Sequence, residues 1–466
     1  MARRSPSLAE RHANCYAECV NRRQFARIAL GTPAVLMSAQ TESLGPADYT
    51  INIAPYSLEL SRHSFIKTIA YNAQVPGPLI RLQEGKLATI EVVNRTASEE
   101  IVHWHGLFLP SEIDGSMEEG TRMISPGSKT RYALMPRPPG FRWYHTHSFA
   151  GHNLNKGTYT GQHGFLFVEP RDNPGRYDAE VFLALHDWKG HLLASDDGSM
   201  RAAYDVSTVN GRVLGFGEPL KVKANQRVLF HILNSSPTEV HWVALSGHEF
   251  EVTALDGNIV PSPKRVPMLR LAPAERVSAI VEMRQPDVWV LGEVRKHIQA
   301  AGMGIVLEYA GQNGNPEWQQ PEKLEWDYTL FARPPAPTPV EDAVTEIPLV
   351  FKPKFTGHGA MERWTINGKS FPHTDTITLQ RGQRYRLRLK NESTDDHPIH
   401  LHRHSFELSQ LPGGRSGRGI LKDTVLADAN METWIEFTAD DPGLTLFHCH
   451  QQDHMDMGFM MLFRYA

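Results

Sequence analysis

The chain has 466 residues, too many for one ordinary domain, so two or three are expected. Hydrophobic residues make up 41% and charged residues 21%, as in a globular protein. With 48 Lys plus Arg against 52 Asp plus Glu, the net charge of −4 gives no reason to expect nucleic acid or an anionic membrane as a partner.

Asn21-Arg22-Arg23-Gln24-Phe25-Ala26-Arg27 precedes a mildly apolar run, Ile28 to Ala39, too short to span a bilayer. Paired arginines before such a run resemble a twin-arginine export signal; a plain basic tail is the alternative. Residues 1–45 are read as a leader, with the periplasm or the extracellular space as destination and no membrane insertion. Met37-Ser38-Ala39 is a poor cleavage sequence, so the cut point stays open. Cys15 and Cys19 fall in the leader and leave Cys449 alone, which excludes an internal disulfide in the body of the chain.

A degenerate repeat then runs through the chain three times, each copy two alternating strands around a turn, closed by Asn. The first copy is Gln74-Val-Pro-Gly77 to Gly85, then Ala88 to Asn94. His103-Trp-His105-Gly106, Asp114-Gly115 and His145-Thr146-His147 follow it. The second is Val209-Asn210-Gly211, Leu220 to Asn225 and Arg227 to Asn234, followed by His241, Ala244, Ser246 and His248. Six prolines from Pro316 to Pro339 read as an ordered linker. The third is Ile366-Asn367-Gly368, Ile377 to Gly382 and Tyr385 to Asn391, followed by His397, His400, His402 and His404 at the spacing of the second copy. The expected fold is all-β, with β-sandwich domains at 46–171, 172–312 and 344–466 and a proline-rich linker at 313–343.

The most informative run is His448-Cys449-His450-Gln-Gln-Asp-His454-Met-Asp-Met-Gly458-Phe459. Leu444 to Phe447 before it reads as a strand, so His448 and His450 project to one face and Cys449 to the other. Metals held on the two faces would be one residue apart, joined by a short covalent wire. One Cys and two His with a weak axial neighbour is the ligand set of an electron-transfer copper. A buried cysteine among core histidines is the bland alternative, and three further paired-histidine motifs tell against it. His241 has lost its companions and reads as structural, while the first copy has Thr146 where the third has Cys449. Eight imidazoles thus split four and four between the first and third domains, which places a metal cluster at their interface.

These four segments resemble the four copper-binding motifs of the multicopper oxidases, the family of laccases, ascorbate oxidases and bacterial copper oxidases. The resemblance spans roughly residues 46–466 and implies three cupredoxin-like Greek-key sandwiches. It implies four copper ions. His397, Cys449 and His454 match the type 1 ligands, and His103 and His400 the type 2 ligands. His105, His145, His147, His402, His448 and His450 match those of the type 3 pair. Asp114 matches an aspartate that delivers protons beside the type 2 site; an Asp-Gly turn residue is the alternative. The acid that follows the last type 1 histidine in some members is Met455 here, so the second proton route is open, with Asp456 a nearby candidate. Phe459 matches the axial position and cannot coordinate. The expected activity is laccase-like, with dioxygen and a small reductant such as a phenol or aromatic amine as partners and a monomer favoured. A Cu(I), Fe(II) or Mn(II) oxidase is the runner-up, and an assembly or copper-sequestration protein the non-enzyme alternative. Thr394-Asp395-Asp396 could orient a phenol or a cation, or be a solvated turn.

Overall fold

The computed structural model describes residues 45–171, 176–194, 200–334, 344–355 and 361–466, and Ala47–Ala466 form one compact unit. The export-signal reading and the first two cysteines lie outside the described residues. No helix among the described residues is long and apolar enough to cross a membrane.

Among the described residues the strands pair into six sheets, two for each copy of the repeat. In the third copy one sheet runs in the order Ile377–Leu379, Met460–Tyr465, Leu444–Cys449, His397–Leu401, Thr424–Ala427. The second copy repeats that order with Leu220–Val222, Gly304–Tyr309, Val288–Glu293, His241–Leu245 and Leu269–Leu271. In the first copy the matching sheet is smaller: Gly77–Gln83, His163–Glu169, Gly140–Thr146, Val102–His103. The partner sheets of the first and third copies alternate buried and half-exposed residues, as in Ala88–Asn94 and Arg384–Asn391, whereas the second copy's strand Arg227–Asn234 is buried on both faces, with Leu233 packed against the first copy.

Asparagine explains why the copies share a build. Asn94, Asn234 and Asn391 each end a strand and donate from Nδ2 across the sandwich, to Ile124 O, Leu271 O and Ala427 O at 2.7, 2.8 and 3.0 Å. A second set, Asn72, Asn210 and Asn367, has φ of 51, 50 and 51° and takes a backbone N–H of a neighbouring strand on its side-chain oxygen. Asparagine tolerates that left-handed conformation because its short amide bonds locally. The first copy therefore begins at Asn72, two residues before the start that the sequence suggests. In the proline-rich stretch, Trp326, Tyr328 and Phe331 are buried and join the core shared by the second and third copies. Residues 335–343 lie outside the described part.

Candidate metal centre

The strand Leu444–Cys449 sorts its side chains as alternation requires. Cys449 enters the core with His397 and His454. Their Nδ1 atoms lie 3.1 Å apart, and the cysteine Sγ is 3.8 and 3.7 Å from them. His397 and Cys449 are fully buried, and His454 is 6% exposed. The Phe459 ring centroid is 4.9 Å from that of His397, and Trp364 stands 4.6 and 4.5 Å from His397 and His454. Met460 packs instead against Leu446 and Met455, so Phe459 faces the cysteine pocket.

His448 and His450 turn the other way, into a group of eight buried histidines. Pairing sets it up: His103 lies opposite His145 in the first copy, and His400 opposite His448 in the third. The two halves are related by an approximate twofold. His103 stacks on His402 at 4.0 Å, and its counterpart His400 stacks on His105 at 3.7 Å. Six of the eight rings carry a buried nitrogen without a hydrogen-bond partner: Nε2 of His103, His145, His147, His400 and His450, and Nδ1 of His105. The remaining two, His402 and His448, face each other through Nε2 at 3.1 Å. Buried lone pairs so converged are costly unless something occupies the space between them. Burial first, then mutual proximity, pushes His105, His145, His147, His400 and His448 far below the ordinary range and His450 to about 3. Neutral imidazole is the form that binds metal. Burial likewise pushes the Cys449 thiol up, and a bound cation is what would draw off its proton. Both donor sets therefore fit soft transition-metal ions, a trigonal Cys-His-His group and an imidazole cage.

Profiles described as multicopper oxidase match residues 55–173, 180–306 and 347–466, together most of the chain. The chain belongs to the multicopper oxidase family. It is 29% identical to "Multicopper oxidase MmcO" of Mycobacterium tuberculosis (strain ATCC 25618 / H37Rv), over 84% of this chain and 82% of that one. "Laccase-7" of Oryza sativa subsp. japonica is 24% identical, over 92% of this chain and 93% of its own. The crystal structure of a multi-copper oxidase from Pseudomonas thermotolerans has a TM-score of 0.72 at 25% identity, covering 90% of this chain and 100% of that one. This multicopper oxidase is thus an oxidoreductase of three cupredoxin-like domains that binds copper and uses dioxygen with a reducing substrate.

Around the cage the structure places two aspartates as twofold mates. Asp114 accepts on its backbone oxygen from His103 Nδ1 at 2.9 Å, and its carboxylate lies 2.9 Å from His402 Nδ1. Asp423 accepts on its backbone oxygen from His400 Nδ1 at 2.7 Å, and its carboxylate lies 3.1 Å from His105 Nε2. That last contact is why His105 alone presents Nδ1 inward. Gly115, at φ 106°, permits the close approach, because a Cβ there would sit 2.1 Å from Val102 O. The Asp-Gly turn and the placement of Asp114 are thus one feature. Sequence reasoning missed Asp423 and also Glu119, whose carboxyl is 3.1 Å from His402 Nδ1 and accepts from Leu446 N–H at 2.7 Å. Burial and then the neighbouring Asp114 push Glu119 up. Burial acts on Asp114 too, but His103 and His402 outweigh it and hold that carboxyl below its ordinary range. Asp423 is clamped by Arg276 of the second copy at 2.7 and 2.6 Å.

Asp456 sits apart from these. It accepts from Ala150 and Gly151 N–H at 3.0 and 2.8 Å and from Gln452 Nε2 at 3.0 Å. Gln452 in turn borders a small space with His145, His147, His448 and His450. Asp396 is engaged as well, 3.3 Å from Arg270 and accepting from Ala429 N–H at 2.8 Å, so it ties the second copy to the third.

The second copy shows what replaces a metal. Its register aligns His241 with His397 and Glu293 with Cys449, since Val243 pairs Glu293 as Ile399 pairs Cys449. His241 lies 3.0 Å from Glu293 and 2.8 Å from Asp187, all buried. Burial opposes the charge on His241, but Asp187 and Glu293 prevail and raise it to about 10.

Proposed function

We propose that the chain is a laccase-like oxidase in which His397, Cys449 and His454 hold type 1 copper. In this reading His103 and His400 hold type 2 copper. The type 3 pair is shared between His105, His145 and His450 on one side and His147, His402 and His448 on the other. The observation that carries the proposal is the junction of the two donor sets through three consecutive residues, His448-Cys449-His450. Bound there, copper supplies one-electron oxidation of a reductant and four-electron reduction of dioxygen to water.

The chain's own residues supply the rest. His454 is the least buried of the type 1 group, which makes its ring edge the contact for a reductant. Asp114, a carboxylate beside His103 and His402, passes protons on for oxygen reduction, and Glu119, whose carboxyl is pushed up, is the neighbouring group that stores one. Asp456, through Gln452, is the acid on the opposite side, with Asp453 buried on the same short helix and Met455 between them. Phe459 fills the pocket beside His397 and Cys449 with a ring that could not coordinate a metal held there. The domain limits given above, and export through Arg22-Arg23, belong to the same reading.

A small organic reductant is favoured because no methionine-rich insert marks a dedicated cuprous site; four of the 15 methionines fall at 455–461, and three of these, Met455, Met460 and Met461, are buried in packing. Oxygen uptake by the copper-loaded protein with a phenol, Cu(I) and Fe(II) side by side is the test. The phenol is expected to give the highest kcat/KM. A higher value for either metal ion would make this a metal-ion oxidase, and uptake with none of them would sink both readings.

A further inference from the structure

The residue after His402 breaks a rule that the other copies keep. Gly106 follows His105 with φ 82°, and Gly247 stands at the matching place in the second copy with φ 71°. The third copy has Arg403 there, at φ 61° and fully buried. An L side chain is strained in that region, and burying a guanidinium adds a desolvation cost. The compensation is complete satisfaction of its donors. Nε donates to Leu109 O at 2.6 Å. Nη1 donates to Leu444 O at 2.6 Å and Thr445 Oγ1 at 3.2 Å. Nη2 donates to Asp441 O at 3.0 Å and Pro442 O at 2.7 Å, with the Asp441 carboxylate 3.2 Å away.

Leu109 begins the first-domain turn that delivers Asp114 and Glu119, whereas Leu444 and Thr445 begin the strand that ends in His448 and Cys449, with His450 directly after it. We propose that Arg403 is a positioning residue for the histidine cage. It is a strut that holds the 109–119 turn against the ligand strand, directly behind His402. Glu119 is the second rung of the same ladder, through Leu446 N–H at 2.7 Å. A planar fork with five donors can span both domains, and neither glycine nor lysine can. The cysteine pocket lies on the other face of the strand and makes no contact with Arg403 among those described.

This inference rests on the assignment of the eight histidines to copper, so wild type is the control. A wild type that takes up no copper beyond the blue site refutes that assignment, not the strut. The experiment loads full-length wild type, Arg403→Gly and Arg403→Lys with copper. It reads the blue absorption, the type 2 electron paramagnetic resonance signal and copper per chain. Arg403→Gly relieves the backbone strain and is expected to keep the blue absorption. Its copper affinity at the cage is expected to fall about 10–100-fold, the usual effect of losing an outer support. Arg403→Lys should fall between. Wild-type cage affinity in Arg403→Gly overturns the proposal. So does parallel loss of the blue and cage signals, which would make Arg403 a general fold residue. If the glycine variant does not fold, the lysine variant is judged by the same two outcomes.

Discussion

At the scale of single residues, the axial position is the most direct test of the pocket. Phe459 faces His397 and Cys449 while Met460 packs away from them. Phe459→Met should supply a weak thioether donor, stabilise the oxidised ion and lower the potential; a drop of about 60 mV is roughly 1.4 kcal/mol for one electron. Met460→Leu should leave it unchanged. Redox titration decides, and the reverse pattern would show that the two residues exchange roles. Asp114 makes a separate prediction. Asp114→Asn keeps the turn and the backbone acceptor for His103 but loses the carboxylate that passes protons on. Reoxidation by dioxygen should slow roughly 10²–10⁴-fold while reduction of the blue site is unaffected. Stopped-flow rates that fall together in both half-reactions would assign Asp114 to the turn alone.

At the scale of elements, the three copies of one sheet are the same scaffold filled in different ways. Where the third copy has His397 and Cys449, the second has His241 and Glu293, with Asp187 completing an ionic triad. His241→Leu removes the cation that faces both buried carboxyl groups, leaving Glu293 to Arg295 and Asp187 to the Ser207 and Ser236 hydroxyls, so a loss of about 3–5 kcal/mol is expected. The sign with pH follows from the shifts. His241 is raised from 6.5 to about 10, so its contribution is complete below pH 6.5 and is lost as pH rises toward 10. Glu293, where burial is outweighed by His241 and Arg295, is held at about 2. Its contribution is present above 4.5 and lost as pH falls through 2. Urea melts should show the largest deficit of the variant near pH 5–6 and a smaller one at pH 9–10; a pH-independent deficit would point to lost packing instead. This triad also marks how far the sequence could be read. His241 is legible as a structural histidine from the repeat spacing, and the eight cage histidines, with His397, Cys449 and His454, from four clustered motifs at strand ends. Glu293, Glu119 and Asp423 are not, because their partners lie 52, 283 and 318 residues away and are set by pairing between strands and domains. Nothing local distinguishes Glu119 from its exposed-looking neighbour Glu118.

At the scale of the whole molecule, the sandwich that carries no donor still shapes the cage, since Arg276 and Asp256 of the second copy reach Asp423 and Lys422 of the third. Arg142 of the first copy meets Asp423 and the Asp256 carbonyl at the same junction. The export reading belongs to this scale too. Replacing Arg22 and Arg23 together by Lys should retain the protein in the cytoplasm, because lysine lacks the guanidinium shape that a receptor reads. Cell fractionation that shows unchanged export would remove the inference. The two donor sets also differ in the length of chain that each one closes. His397 and His454 are 57 residues apart, within one sandwich. His402 and Asp114 are 288 residues apart, and the cage draws half its rings from each end of that span. A ribosome delivers the first four imidazoles long before the last four exist. A chain that stops early can therefore present a histidine-rich strand but never the finished cage, and oxygen chemistry is withheld until synthesis is complete and the two outer sandwiches have docked.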